Sequence, residues 1–164
     1  MKKKPMEILY RNIGLIHTPF SETSGMPIQP SGAKGVKGEV HVFPEFAEGI
    51  ADLEGFSHII LIYHLHNAGE PKLTVTPFMD DTPRGVFSTR APSRPNSIGL
   101  SVVKLTGIKG NVLRVENVDV LDETPLLDIK PYVPDFDACE SPKTGWLQKN
   151  SDKARRTKAD DRFS

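Results

Sequence analysis

Proline and glycine punctuate this chain so often that its apolar segments are all short. IGLIH (Ile13–His17) runs into Pro19, VKGEVHVF (Val36–Phe43) into Pro44, and LTVTPF (Leu73–Phe78) into a stretch of Pro, Gly, Ser and Arg. Short pieces rich in β-branched residues and bounded by such breakers read as strands. FSHIILIYHLH (Phe56–His66), the most apolar piece, reads as a strand buried on both faces. LSVVKLTGI and VLRVENVDVL flank Lys109-Gly110-Asn111 and predict a hairpin, because Gly and Asn tolerate positive φ. GVFST adds a short strand, and TPLLDIKPYVP a last one stopped by Pro131 and Pro134. Pro44 opens a short helix through PEFAEGIADL, since proline suits a first helical turn. The sum predicts a mainly β fold, a small antiparallel β-barrel with short helices, in which closure protects the sheet edges. No βαβ alternation occurs and no G-x-G-x-x-G follows a strand, which argues against a dinucleotide-type site.

At 164 residues the chain suits one domain. The expected division is a β-barrel over residues 1–137 and a polar C-terminal tail over 138–164. Lys plus Arg and Asp plus Glu number 21 each, so any nucleic-acid surface must be a local patch. Arg84, Arg90 and Arg94 share one loop region, and Lys153, Arg155, Arg156 and Lys158 crowd a tail expected to move freely unless it docks. No apolar run approaches the roughly 20 residues of a membrane span. The basic start, MKKKPMEILY, lacks the apolar stretch of a secretory signal. The lone Cys139 has no internal disulfide partner, in keeping with a reducing, cytoplasmic setting.

Four groups of residues carry chemistry. GVFSTRAPSRPNSIGLS (Gly85–Ser101) sets Arg90 and Arg94 among prolines that restrict the backbone and beside Asn96 and Gly99, which favour turns. Guanidinium groups suit bidentate recognition of carboxylate or phosphate. The same segment reads equally as a stiffened surface loop with solvated arginines. In LDETPLLDIKPYVPDF, Asp122 and Thr124 suit a ribose or an adenine edge, or simply a turn. Strand alternation puts His58, His64 and His66 on one face, a pattern metals use, but no third ligand has a diagnostic spacing and no metal is expected. His66 with Asn67 reads better as a ligand-facing pair. Pro27-Ile28-Gln29, in the first long loop, offers an amide and backbone groups to a ring.

Together GVFSTRAPSRPNSIGLS and DETPLLDIKPYVP, supported by LEGFSHIILIYHLH and IGLIHTPF, resemble the TrmO (TsaA-like) family of S-adenosylmethionine-dependent tRNA methyltransferases. The resemblance runs from about Ile13 to Asp137. It implies a small barrel that forms a homodimer and methylates the exocyclic nitrogen of threonylcarbamoyl-adenosine beside the tRNA anticodon. It also implies a cofactor site of Pro27, Ile28, Gln29, His66, Asn67, Arg90, Leu100, Asp122, Glu123, Thr124 and Pro125. Arg94 and Asn96, by their own chemistry, are expected toward the substrate. Four positions depart from the family pattern: Ile28 replaces Arg, Asn67 replaces Gln, Ser97 replaces Pro and Glu123 replaces a turn Gly.

A ureido-type nitrogen is a poor nucleophile until it loses its proton, so a nearby base would help. His66, Tyr63 and Asp122 are the candidates, although a regular strand would turn Tyr63 away from His66. Two rival readings remain: a non-enzymatic dimeric barrel that binds an adenine nucleotide or RNA, and a metal-dependent hydrolase built on His58, His64 and His66.

Overall fold

The structure, a computed structural model, describes residues 5–149 and 156–160. Among the described residues eight strands form in chain order: β1 (Gly14–His17), β2 (Lys37–Val42), β3 (His58–His64), β4 (Thr74–Val75), β5 (Arg84–Gly85), β6 (Ile98–Lys109), β7 (Val112–Glu116) and β8 (Thr124–Pro131). Six of them close into a barrel in the order β1-β2-β7-β6-β3-β8, with β8 pairing back onto β1 and every neighbour antiparallel. β4 and β5 pair separately, outside the barrel.

Period-two alternation builds the interior. Val40 and Val42, Ile59 and Leu61, Val103 and Leu105, Leu113 and Val115 lie two apart on their strands and are buried, joined by Ile16 and Leu126. Alternate side chains of a strand leave opposite faces, so each strand gives one set to the core and the other to the outside. β3 departs here from the sequence-based expectation of burial on both faces: His58, Ile60 and Ile62 on the outside are half-buried and His64 is exposed. A barrel encloses one face only, and the other is covered in part.

The expected hairpin forms between β6 and β7, with Lys109 opposite Val112 and Gly110 at φ 61°. That is where a two-residue turn of type II′ needs a positive φ. β7 ends at Glu116, earlier than its apolar pattern suggests, because Asn117 takes a left-handed φ of 67° and turns the chain inward. Val118, Asp119 and Val120 are then buried as a loop rather than paired as a strand. The expected Leu73–Phe78 strand shrinks to β4, and GVFST becomes a 3-10 turn over Val86–Ser88. The helix at Pro44 is also 3-10, over Pro44–Ile50, and a left-handed Asp52 (φ 65°) separates it from a second turn at Leu53–Gly55.

The C-terminal part folds back on the chain. After α1 (Pro134–Asp137), a 3-10 turn over Gly145–Lys149 places Trp146 so that its Nε1 donates to the Ser88 carbonyl at 2.8 Å. Residues 156–160 run beside the first long loop: Gly25 N donates to the Ala159 carbonyl at 2.9 Å and Ala159 N to the Met26 carbonyl at 2.8 Å. Of the basic tail residues, Lys153 and Arg155 lie outside the described residues. Among the described residues no helix is long and apolar enough to cross a membrane.

Candidate functional site

A cavity of about 450 Å3 opens where β3 ends and where β6 and β8 begin. Its size is within the range of small-ligand sites. The first long loop brings Pro27, Ile28 and Gln29 to it, and the exit of β3 brings Tyr63, His66 and Asn67. The loop before β6 adds Arg90, Arg94 and Asn96, while Leu100 and Thr124 come from the barrel strands. Ala159 and Asp160, from the docked tail, also border it.

Arg90 Nη1 donates to Gln29 Oε1 at 3.0 Å, tying two walls together. Arg94 Nη1 instead donates to the carbonyls of Thr89 and Ala91, both at 3.2 Å, and so pins the fold of its own loop. Tyr63 and His66 reach the same cavity because β3 stops at His64: Leu65 N bonds the Ser97 carbonyl at 2.8 Å and the chain turns there. Strand alternation therefore ends before His66. The register of β3 against β8 also shifts between Ile62 and Tyr63, a bulge of the kind common beside binding sites.

Tyr63 is buried, and its hydroxyl lies 2.8 Å from Ser101 Oγ, which donates to Asp119 Oδ1 at 2.6 Å. Burial and the nearby Asp119 charge push the Tyr63 phenol well above its ordinary value, so it stays protonated. Gly99, opposite Tyr63 on β6, leaves room for the ring; a methyl group there would overlap it. Asp119 borders the cavity with 8% of its surface exposed, and burial pushes its carboxyl up to about 6 against the hydrogen bond from Ser101. Motif reasoning did not single out Asp119. The available signal was an acid between two valines in a segment that otherwise read as a strand.

Asp122, Glu123 and Pro125 do not line the cavity. Asp122 Oδ1 accepts from Thr18 N at 3.1 Å and lies 3.2 Å from His17 Nδ1. Slight burial works to raise its carboxyl, but the hydrogen bonds from Thr18 and His17 outweigh that and hold it below the usual range. Glu123 has φ 58°, a left-handed conformation that favours glycine, which accounts for the turn Gly in the family pattern. Pro125 pairs with Leu15 on β1. The three histidines do not converge: His58 and His64 sit at opposite ends of β3, roughly 20 Å apart at about 3.3 Å per residue. Among the described residues no group of three or more His, Cys, Asp or Glu is placed to hold a metal ion.

The comparisons with known proteins converge on one family. The model of the tRNA-methyltransferase O N-terminal domain matches residues 15–138. A probable S-adenosyl-L-methionine-binding protein of Pyrococcus abyssi is 57% identical over 159 residues, covering 97% of this chain and 86% of the relative. The tRNA (adenine(37)-N6)-methyltransferase of Escherichia coli is 36% identical over 135 residues, 76% of this chain and 57% of that enzyme. The crystal structure of TrmO from Pseudomonas aeruginosa matches with a TM-score of 0.73 at 38% identity, over 86% of this chain and 63% of that one.

Proposed function

Because the chain belongs to the tRNA-methyltransferase O N-terminal domain family, we propose that it binds S-adenosylmethionine at the open end of its barrel and transfers the methyl group to tRNA. The acceptor is the exocyclic nitrogen of threonylcarbamoyl-adenosine beside the anticodon. One observation carries this reading: segments far apart in sequence, from Pro27 to Thr124, meet at a cavity with apolar walls, two arginines and a buried acid. That donor set fits the cofactor, which has a ring to seat, a carboxylate to hold and a positive charge to balance. The cofactor supplies an activated methyl on its sulfonium, which leaves the protein the work of binding and alignment. Such alignment contributes on the order of 7–11 kcal/mol in favourable cases.

Arg90, held by Gln29 at the wall, is the group offered to a carboxylate of the donor or of the threonyl substituent. Of the three proton acceptors that the sequence suggested, Tyr63 is held protonated and Asp122 lies outside the cavity. His66, on the lining and exposed, is left for that role. A neighbouring groove of about 630 Å3 shares Gln29 and Arg90 with the cavity and is edged by Phe87 and Trp146. Aromatic faces of this kind suit bases from a single-stranded RNA loop. Ile98 and Leu100 are 42% and 47% exposed at the mouth, which supports a second copy packing there as a homodimer. A tRNA-modifying protein of this kind works in the cytoplasm.

The test is transfer of a labelled methyl group from S-adenosylmethionine to tRNA carrying threonylcarbamoyl-adenosine, read on the digested nucleosides. The expected product is that nucleoside with one added methyl group, and Arg90→Ala should fold normally yet lose transfer. Cofactor binding with no transfer to any tRNA would favour the non-enzymatic binding reading instead.

A further inference from the structure

Asp119 is a carboxylate for which the alignment of donor and acceptor finds no use, yet the fold takes trouble to bury it. The chain leaves β7 through left-handed Asn117, inserts Val118 and Val120 into the core, and leaves Asp119 between them at the cavity floor. Its carboxylate accepts from Ser101, itself buried and bonded to Tyr63, and from its own backbone N–H. Among the described residues no cationic side chain lies within ion-pair distance of it. Arg90 is turned to Gln29, and Arg94 to backbone carbonyls. A buried charge with no cation in contact with it is destabilising, and a cation brought into the same cavity relieves that penalty. S-adenosylmethionine carries such a charge on sulfur. Its demethylated product, S-adenosylhomocysteine, is a neutral thioether there and otherwise the same molecule.

We infer that Asp119 is the counter-charge that makes this cavity prefer the sulfonium donor over its neutral thioether product. This rests on the proposed function and adds the residue that sets its ligand preference. Methyl transfer then removes the very charge that Asp119 balances, which favours exchange of spent product for fresh donor. The charged and titratable groups facing Asp119 are Tyr63 from β3 and Arg90 from the loop before β6. Tyr63 stays protonated, and burial holds part of Asp119 in the acid form, so Asp119 has a proton to release when the donor binds. His66 and Asp160 border the same cavity, and an Asn variant controls for both.

The experiment is isothermal titration, without RNA, of wild type and Asp119→Asn with S-adenosylmethionine and with S-adenosylhomocysteine. Wild type should bind the donor at least about tenfold more tightly, while the variant should bring that ratio near one, chiefly by losing donor affinity. A second measurement reads the proton itself, in wild type and in Asp119→Asn as the control for His66 and Asp160. At pH 6, where the carboxyl is partly protonated, donor binding should release protons, seen as a heat that varies with buffer ionisation enthalpy; at pH 8 the release should vanish. An unchanged preference in Asp119→Asn, or a proton release at pH 6 that is absent in wild type or equally large in the variant, overturns the inference. Wild type binding both ligands equally overturns it while leaving the proposed function standing. Wild type binding neither removes the proposed function itself.

Discussion

At one end of the barrel the 3-10 helix Pro44–Ile50 packs Phe46 and Ile50 against the core, with Leu53, Ile13 and Ile129 beside them. At the other end the inward positions of the same strands are filled by Tyr63 and Ser101, and the loop after β7 adds Asp119. Strand alternation supplies inward positions along the whole barrel, and the residues placed there decide what each end becomes. Apolar ones pack under the 3-10 helix, whose residues also line a separate groove of about 730 Å3; polar ones must bond each other, and the room left beside them becomes a site. The polar end is therefore the less stable construction. A protein retains it where the cavity has a use, as the convergence of Arg90, His66 and Asn67 on it suggests.

Leu61→Ala, in the apolar part, should give the largest effect. Leu61 is fully buried, and leaving a cavity there should lower stability by about 2–5 kcal/mol in urea unfolding. A much smaller loss would mean that the interior collapses easily and that the contrast between the ends is overstated. Gly99→Ala tests how tightly the polar end is fitted. The added methyl must displace the Tyr63 ring from Ser101, so stability should fall by about 1–3 kcal/mol and donor affinity with it. An unchanged variant would show that Tyr63 is not held by that bond.

Asp119→Asn should act in the opposite direction. The folded-state value near 6 lies above the ordinary 3.8, so the native protein binds more protons than the unfolded chain between those values. Wild-type stability should therefore fall as pH rises from about 4 to about 6. Asn removes that penalty while still accepting from Ser101. Relative to wild type the variant should gain on the order of 2 kcal/mol between pH 4 and pH 8. Asp122, three residues on, makes the control. Its carboxyl is held below 3.8, so its contribution is present above that value and disappears as pH falls through the lowered one. Because its partner His17 is only partly buried and Asp122 is 42% exposed, Asp122→Asn should lose less than about 1 kcal/mol at neutral pH. If the two variants shift stability in the same direction, the contrast between buried and exposed acids fails.

The barrel was legible because it rests on local signals: period-two alternation, Gly110 in its turn and prolines at strand ends. The 3-10 form of Pro44–Ile50 was not, since a run that short shows no helical period to distinguish 3-10 from α. At the site, Arg90 and Arg94 stood out by composition, but their different partners, Gln29 and the loop backbone, depend on contacts far apart in sequence. Asp122 lies in a recognisable motif, whereas Asp119 sits between two valines in a segment with the pattern of a strand. Only the left-handed turn at Asn117 and closure of the barrel decide which of these acids is buried.

On the proposed function, the polar end of this barrel is a site for a cationic methyl donor. Isothermal titration of the wild-type chain with S-adenosylmethionine, with ATP as the control, tests it most directly. Saturable binding of S-adenosylmethionine at one site per chain is expected, and none of ATP. No binding at millimolar S-adenosylmethionine, or equal binding of ATP, would contradict it.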